Sequence, residues 1–116
     1  MILGNYEPRN SDEKIGEFGR IVVEAVDDGL SVFGETVKAT LLLLIKERFH
    51  IDNHEISEKP KEFSSALRSI LGNGGGKFVE NLIVRNLYAK LGLGAPEVNK
   101  EFHEYIFEAR RKTTLI

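Results

Sequence analysis

The amino-acid sequence predicts an all-α fold: a compact bundle of four to five helices, with a glycine-rich loop between the third and the fourth. Two observations support this fold class. Apolar residues recur at three- and four-residue steps in several segments, which is the spacing of an amphipathic helix. No segment of the sequence alternates apolar and polar residues for long enough to indicate a strand. With 116 residues, the chain is long enough for one domain with a hydrophobic core.

The first ten residues are predicted to form a flexible arm (residues 1–10), and residues 11–116 a single helical domain. The arm contains Gly4, Pro8 and Asn10 but no apolar period, which is typical of irregular backbone. Ser11 is a helix-start residue, because its hydroxyl can accept a hydrogen bond from a free N–H of the first turn. An amphipathic helix over residues 12–32 follows, with the apolar stripe Ile15, Phe18, Val22, Val26 and Leu30.

Gly34 is expected to break the chain before a second helix. That helix has an apolar stripe, but Leu42 and Leu43 are apolar as well, so residues 41–45 are hydrophobic all round. A helix of this kind is buried on most sides. We therefore expect it either at the centre of the bundle or partly in a dimer interface.

Proline and glycine delimit the remaining helices. Pro60 is expected at the first position of the third helix, where its missing N–H is tolerated, and the glycine run at residues 72–76 ends that helix. The fourth helix is predicted over about residues 77–91, with Gly92 and Gly94 as candidate C-caps, and a fifth helix from Pro96 to about residue 111. The inward-facing residues predicted for the fourth helix are Phe78, Val79, Leu82, Ile83, Leu87 and Leu91.

Composition excludes several classes of protein. The chain has no cysteine, which excludes a disulfide scaffold, a thiolate metal site and a cysteine nucleophile. The longest apolar stretch, residues 41–45, is far shorter than the ~18 residues of a membrane span. Since the N-terminus also lacks the basic and apolar regions of a signal peptide, we expect a cytoplasmic protein without a membrane partner.

The glycine run is the first candidate for a binding site. A phosphate-binding loop requires G-x-x-x-x-G-K-[ST] after a strand, whereas here Gly72 and Gly76 bracket three residues and Phe78 follows Lys77. We therefore interpret the run as a helix cap and linker, in which replacing Gly75 or Gly76 by alanine is neutral or stabilising. A small anion or nucleotide site at the start of the next helix is the alternative. Its residues would be Gly74, Gly75, Gly76 and Lys77.

Histidines and serines show no catalytic or metal-binding pattern. His50 and His54 have the i, i+4 spacing of zinc ligands on a helix, but they fall in a predicted connection with no third ligand. No serine of the sequence lies in a G-x-S-x-G motif. We expect a protein without enzymatic activity, metal or cofactor.

Charge is unevenly distributed along the chain. Residues 1–58 carry six Lys or Arg and twelve Asp or Glu, whereas residues 59–116 carry ten and six. The halves could be solvated faces, or they could steer self-association or binding of a charged partner. Nucleic-acid binding by the basic half is an alternative, although the fourth helix leaves few polar side chains to contact bases. The phosphate contacts would come from Lys77, Arg85, Lys90, Arg110, Arg111 and Lys112.

Residues 34–92 carry the motifs of a known family. These motifs include Gly34-Glu35-Thr36-Val37-Lys38, Pro60-x-Glu62-Phe63, Gly72 with Gly74, and Leu87-Tyr88-Ala89-Lys90-Leu91-Gly92. In these residues the chain resembles an archaeal module, the Nitrosopumilus output domain of the fifth type. The resemblance implies an all-α domain of archaeal signalling and regulatory proteins, for which no catalytic residues are established. The chain departs from the family pattern in a third loop glycine and in its extra N-terminal and C-terminal helices.

These observations predict a non-enzymatic helical interaction or output module that forms a homodimer and binds an unidentified protein partner. The chain is too small to surround two helical segments as apolar as residues 41–45 and 78–91. Part of their apolar surface is therefore expected at an interface. The side chains predicted there are Leu42, Leu43, Phe78 and Leu82.

Overall fold

A computed structural model describes the backbone of residues 6–114 and the side chains of residues 16–113. It contains four α-helices: α1 (Tyr6–Leu30), α2 (Glu35–Phe49), α3 (Pro60–Leu91) and α4 (Phe102–Thr114). Short 3₁₀ helices at Ser31–Phe33 and Asn53–Glu55 lie in the first two connections, and the described residues include no strand. The all-α prediction is confirmed. None of the helices in the described part of the chain combines the length and apolar character that crossing a membrane requires.

Helix α1 begins earlier than the sequence predicts. Its backbone is helical from Tyr6, within the predicted arm, and its regular geometry is interrupted once, at Gly16 (φ 69°, ψ −176°). Residues 1–5 of the arm lie outside the described residues, as does the side chain of Ile15. The rest of the predicted stripe is confirmed, with Phe18 partly buried and Val22, Val26 and Leu30 in the core.

Helix α2 buries one narrow stripe. It begins after Gly34, as predicted, and ends at His50 in the left-handed conformation. Leu41 and Ile45 are buried, but Leu43 between them is 56% exposed. Residues 41–45 are predicted to lie either at the centre of the bundle or partly in a dimer interface. The exposure of Leu43 excludes the centre of the bundle.

The glycine run does not form the predicted loop. Helix α3 continues across it, and within the run only Gly72 leaves the helical conformation (φ 82°, ψ 164°). Glycine alone adopts this backbone conformation at low cost, because a Cβ would collide with the backbone. We call the two halves α3a (residues 60–71) and α3b (residues 73–91). Gly72 alone therefore breaks the helix, whereas the sequence predicted that all five residues 72–76 would separate two helices.

The two halves of α3 fold back on each other at Gly72. The Ser64 hydroxyl donates a hydrogen bond to Glu80 Oε2 at 2.5 Å, although a straight helix would hold these residues about 24 Å apart. The guanidinium of Arg68 pairs with both oxygens of Glu80, Nη2 to Oε1 at 2.8 Å and Nε to Oε2 at 3.1 Å. Gly76 allows this approach, since a Cβ there would lie 2.7 Å from Arg68 Cγ and 3.0 Å from Arg68 Cα.

Helix α3 is the central element, with α1 and α4 packed against it. Lys90 of α3b forms an ion pair with Asp28 of α1, Nζ to Oδ2 at 2.9 Å. The rings of Phe63 and Phe102, from α3a and α4, lie 5.8 Å apart between centroids. Most inward positions predicted for α3b are confirmed, but that of Phe78 is wrong, because its side chain is 56% exposed. Val79, Ile83 and Leu87 are fully buried, whereas Leu82 and Leu91 are partly buried.

The connection from α3 to α4 is longer than predicted. Gly92 caps α3 in the left-handed conformation, as expected, and the N–H of Leu93 donates to the carbonyl of Tyr88 at 2.9 Å. The predicted helix start at Pro96 is wrong, because α4 begins only at Phe102. Asn99 also takes a positive φ of 65°, which a helix does not tolerate. Residues 92–101 therefore form an irregular segment, the α3–α4 connection.

The structure reverses the expected effect of alanine at Gly76. We expect Gly76→Ala to destabilise the fold by about 1–3 kcal/mol, because the added methyl overpacks the contact with Arg68. Gly74→Ala is the matched control, since a Cβ there meets nothing within 4 Å, and it should be neutral or stabilise by about 0.5–1 kcal/mol. Urea unfolding followed by circular dichroism measures both. Equal stabilities of the two variants would contradict the fold-back.

Candidate binding groove

A groove of about 700 Å³ lies between α3b and the α3–α4 connection. Its volume falls within the range typical of small-molecule binding sites. Apolar side chains from both walls line it, among them Val84 of α3b and Pro96 and Val98 of the connection. Charged side chains lie beside them: three are basic, Lys77, Arg85 and Lys100, and one is acidic, Glu97. The groove thus combines an apolar lining with a net positive charge.

The α3b wall presents three polar side chains in a row. Lys77, Asn81 and Arg85 all line the groove, and their i, i+4, i+8 spacing puts them on one face of the helix. At 1.5 Å per residue, Lys77 and Arg85 are about 12 Å apart along the helix axis. All three are exposed, so a ligand in the groove can reach them.

Hydrogen bonds hold the opposite wall to α4. The Tyr105 hydroxyl donates to the carbonyl of Glu97 at 2.5 Å and accepts the N–H of Lys100 at 3.3 Å. The Lys100 ammonium lies 2.8 Å from Glu108 and 3.1 Å from Glu97. Tyr105 packs edge-on against Tyr88 of α3b, with 6.3 Å between ring centroids. These contacts fix the connection relative to α3b and define the width of the groove.

The charged groups of this wall stabilise one another. Hydrogen bonds to Glu108 and Glu97 raise the pKa of Lys100, and Lys100 holds the pKa of Glu108 below its usual value of 4.5. Burial, reinforced by the nearby Glu108 carboxylate, raises the pKa of Tyr88 to about 12. At neutral pH Lys100 is therefore cationic, Glu108 anionic and Tyr88 neutral.

Most of the basic residues in the second half of the chain have acidic partners inside the molecule. Lys90 pairs with Glu24 and Asp28, and Arg110 with Glu58. Lys59, Arg68, Lys100, Arg111 and Lys112 also lie within 4 Å of a carboxylate. Among the described residues of this half, the cations without an ion pair are Lys61, Lys77 and Arg85, and the last two lie in the groove. The groove therefore holds two of the three cations that have no ion pair among the described residues of this half.

The predicted anion-site residues are divided between two environments. Gly74 and Gly75 are exposed in the first turn of α3b, whereas Gly76 is buried against Arg68. Lys77 lines the groove. A ligand can therefore reach Lys77 but not Gly76, and the anion site stays a prediction for the remaining residues.

The predicted interface residues lie on two helices. Leu42 and Leu43 belong to α2, where they line a second cavity of about 410 Å³ with His54. Phe78 and Leu82 belong to α3b. Leu43 and Phe78 are exposed, while Leu42 and Leu82 are partly buried. Within the described residues no group of His, Asp or Glu side chains could hold a metal ion, and this includes His50 and His54.

Sequence reasoning found one wall of the groove in part. It named Lys77 and Arg85 as phosphate contacts, and the four-residue spacing through Asn81 could have grouped them on one face. The opposite wall has no comparable signal, because residues 96–100 are predicted to be helical and the structure contains no helix there. Tertiary packing alone brings the connection to α3b.

Comparison with family models, curated proteins and solved structures gives no match for this chain. The resemblance to the archaeal output domain over residues 34–92 therefore stays a prediction.

The pH dependence of stability should reveal the Glu108–Lys100 pair. Because the pKa of Glu108 is lower in the folded chain, its ionisation contributes stability that is complete above about pH 4.5 and is lost as the pH falls through the folded-state pKa. We expect Glu108→Gln to lower stability at about pH 7, and the difference from wild type to shrink below about pH 4.

Urea unfolding at about pH 7, 5 and 3 measures this effect. Glu47→Gln is the control, because Glu47 is exposed on α2 and forms no ion pair among the described residues. A Glu108→Gln effect that is constant across this pH range would contradict the assignment.

Proposed function

We propose that this chain is a non-enzymatic helical interaction module that binds a segment of a protein partner in the groove between α3b and the α3–α4 connection. One observation carries the proposal: Lys77 and Arg85, which have no acidic partner among the described residues, lie beside apolar side chains in the same groove. A surface that pairs apolar contact area with unsatisfied charge is suited to specific association.

The chemistry of the groove favours binding over catalysis. Tyr105 and Lys100, which could transfer protons in an active site, are engaged in hydrogen bonds within the protein. Among the polar side chains that line the groove, Lys77, Asn81, Arg85 and Asn99 form no hydrogen bond within the described residues, and the Glu97 carboxylate, which pairs with Lys100, is 73% exposed. Cationic and amide groups attract and orient a ligand, whereas catalysis by Glu97 as a general base would need a pKa near the working pH.

The nucleic-acid alternative receives less support. Four of the six proposed phosphate contacts, namely Lys90, Arg110, Arg111 and Lys112, lie beside carboxylates of this chain. Phosphate binding would have to displace these carboxylates, and its affinity grows with the number of cations that contact phosphates. Two free cations in one groove are better matched to a short acidic segment.

The resemblance over residues 34–92 supports a role in archaeal signalling or regulation. The α3b wall of the groove lies within the resembling segment, whereas the opposite wall, residues 94–100, lies outside it.

Selection of a random peptide display library on the immobilised chain tests the proposal. We expect peptides to be enriched on the wild type and not on the Lys77→Glu/Arg85→Glu variant, because reversing both charges repels the ligand. Lys61→Glu is the matched control, since Lys61 is also without an ion pair among the described residues but does not line the groove.

Peptides enriched on wild type and on Lys61→Glu, and bound at least tenfold more weakly by the double variant, would support the groove as the binding site. Equal affinity of all three proteins would contradict it. Circular dichroism of each variant shows whether the fold is retained.

Self-association is the second part of the proposal. Its supporting observation is that Leu43 and Phe78 are each 56% exposed, since large exposed apolar side chains are favoured in homodimer interfaces. Sedimentation equilibrium at high micromolar concentration should show a dimer for the wild type and a monomer for Leu43→Glu and Phe78→Glu. Phe107→Glu is the control, because Phe107 is equally exposed but lies on α4. A monomeric wild type would contradict dimerisation.

A further inference from the structure

The charges of the groove limit its ligand. Lys77 and Arg85 have no acidic partner among the described residues, and about 12 Å along the helix axis separates them. The other charged residues of the lining, Lys100 and Glu97, pair with each other. A small anion carries one compact charge and can satisfy only one of these cations. A ligand that satisfies both must carry two anionic groups at about that separation.

Aliphatic side chains form part of the lining beside the two cations. Val84 is almost fully buried and forms part of the groove together with Pro96 and Val98. The ring that lines the groove, Tyr105, is only 7% exposed and offers no open face on which a base could stack. An aliphatic side chain of the ligand therefore fits between the charges better than a nucleobase.

Asn81 lies midway between Lys77 and Arg85 along α3b. It lines the groove, is exposed, and forms no hydrogen bond among the described residues. A carboxamide both donates and accepts hydrogen bonds, as does the backbone of an extended peptide. Asn81 can therefore pair with one N–H and one C=O of such a segment.

An extended peptide matches these three features in one conformation. At about 3.3 Å per residue, side chains four residues apart lie on the same side and about 13 Å from each other. The side chain halfway between them also points to that side. Resting on the proposed function of the groove, we infer that its ligand is an extended acidic segment of a partner protein with the pattern acidic-x-aliphatic-x-acidic. The two carboxylates pair with Lys77 and Arg85, and the aliphatic side chain lies against the apolar lining of the groove.

Fluorescence polarisation with labelled synthetic peptides tests the inference. The probe has the core Glu-Ser-Leu-Ser-Glu between glycines. Two control peptides change only the ligand: Gln-Ser-Leu-Ser-Gln removes both charges, and Leu-Ser-Ser-Glu-Glu keeps them but places them side by side. An oligothymidine of about the same length provides the nucleic-acid arm.

We expect the probe to bind saturably and both control peptides at least tenfold more weakly, since each lost charge-assisted hydrogen bond costs about tenfold in affinity. Asn81→Ala should weaken binding of the probe by a few fold, and Lys77→Glu/Arg85→Glu by more than tenfold. Lys61→Glu should bind like the wild type. Because the peptide controls use the wild-type protein, a variant that fails to fold does not affect the test.

Equal binding of the three peptides would overturn the inference, as would tighter binding of oligothymidine than of the probe. Two further outcomes distinguish failure of this inference from failure of the proposed function. If the display selection enriches groove-dependent peptides that lack the acidic pair, the groove binds protein segments but the inferred pattern is wrong. If neither experiment shows binding that depends on Lys77 and Arg85, both proposals are wrong.

Discussion

The reversal of α3 at Gly72 is the constraint on which the rest of the structure depends. It requires a residue without a Cβ at the break, and another, Gly76, where α3b approaches Arg68 most closely. Glu80 is almost completely buried, yet both its oxygens are paired with Arg68 or Ser64 across the break. A buried ion pair adds little net stability, but losing one partner costs several kcal/mol, because the other charge is left unpaired. The pair therefore favours this arrangement of the two halves over a straight helix, in which Glu80 would lose its partners.

The fold-back decides which face of α3b is left for the groove. Val79, Ile83 and Leu87 are directed into the core formed with α1 and α4, so the face with Lys77, Asn81 and Arg85 is turned outward. The α3–α4 connection then covers part of that face, held by Tyr105 and Lys100. The groove is thus a consequence of core packing on one side of a helix and of hydrogen bonding to α4 on the other.

The internal ion pairs change the meaning of the charge asymmetry along the chain. In the sequence, an acidic first half and a basic second half are compatible with a charged partner for each. In the structure, Lys90 pairs with Glu24 and Asp28, and Arg110 with Glu58, so some charges of one half are compensated by the other. The proposed recognition depends instead on Lys77 and Arg85, which line one groove.

The sequence by itself determined the helical class, the apolar stripe of α1, the start of α3 at Pro60 and its cap at Gly92. These depend on local period and on the backbone preferences of single residues, which act in any context. Only the tertiary structure decided that the glycine run is helical after Gly72. Packing of this part of α3b against Arg68 stabilises the helix and offsets the low helix propensity of glycine. It also decided the exposure of Phe78 and the groove, which joins residues 77–89 to a connection whose course no local pattern encodes. Which residues face each other across a groove depends on packing between distant segments, and local spacing contains no information about that.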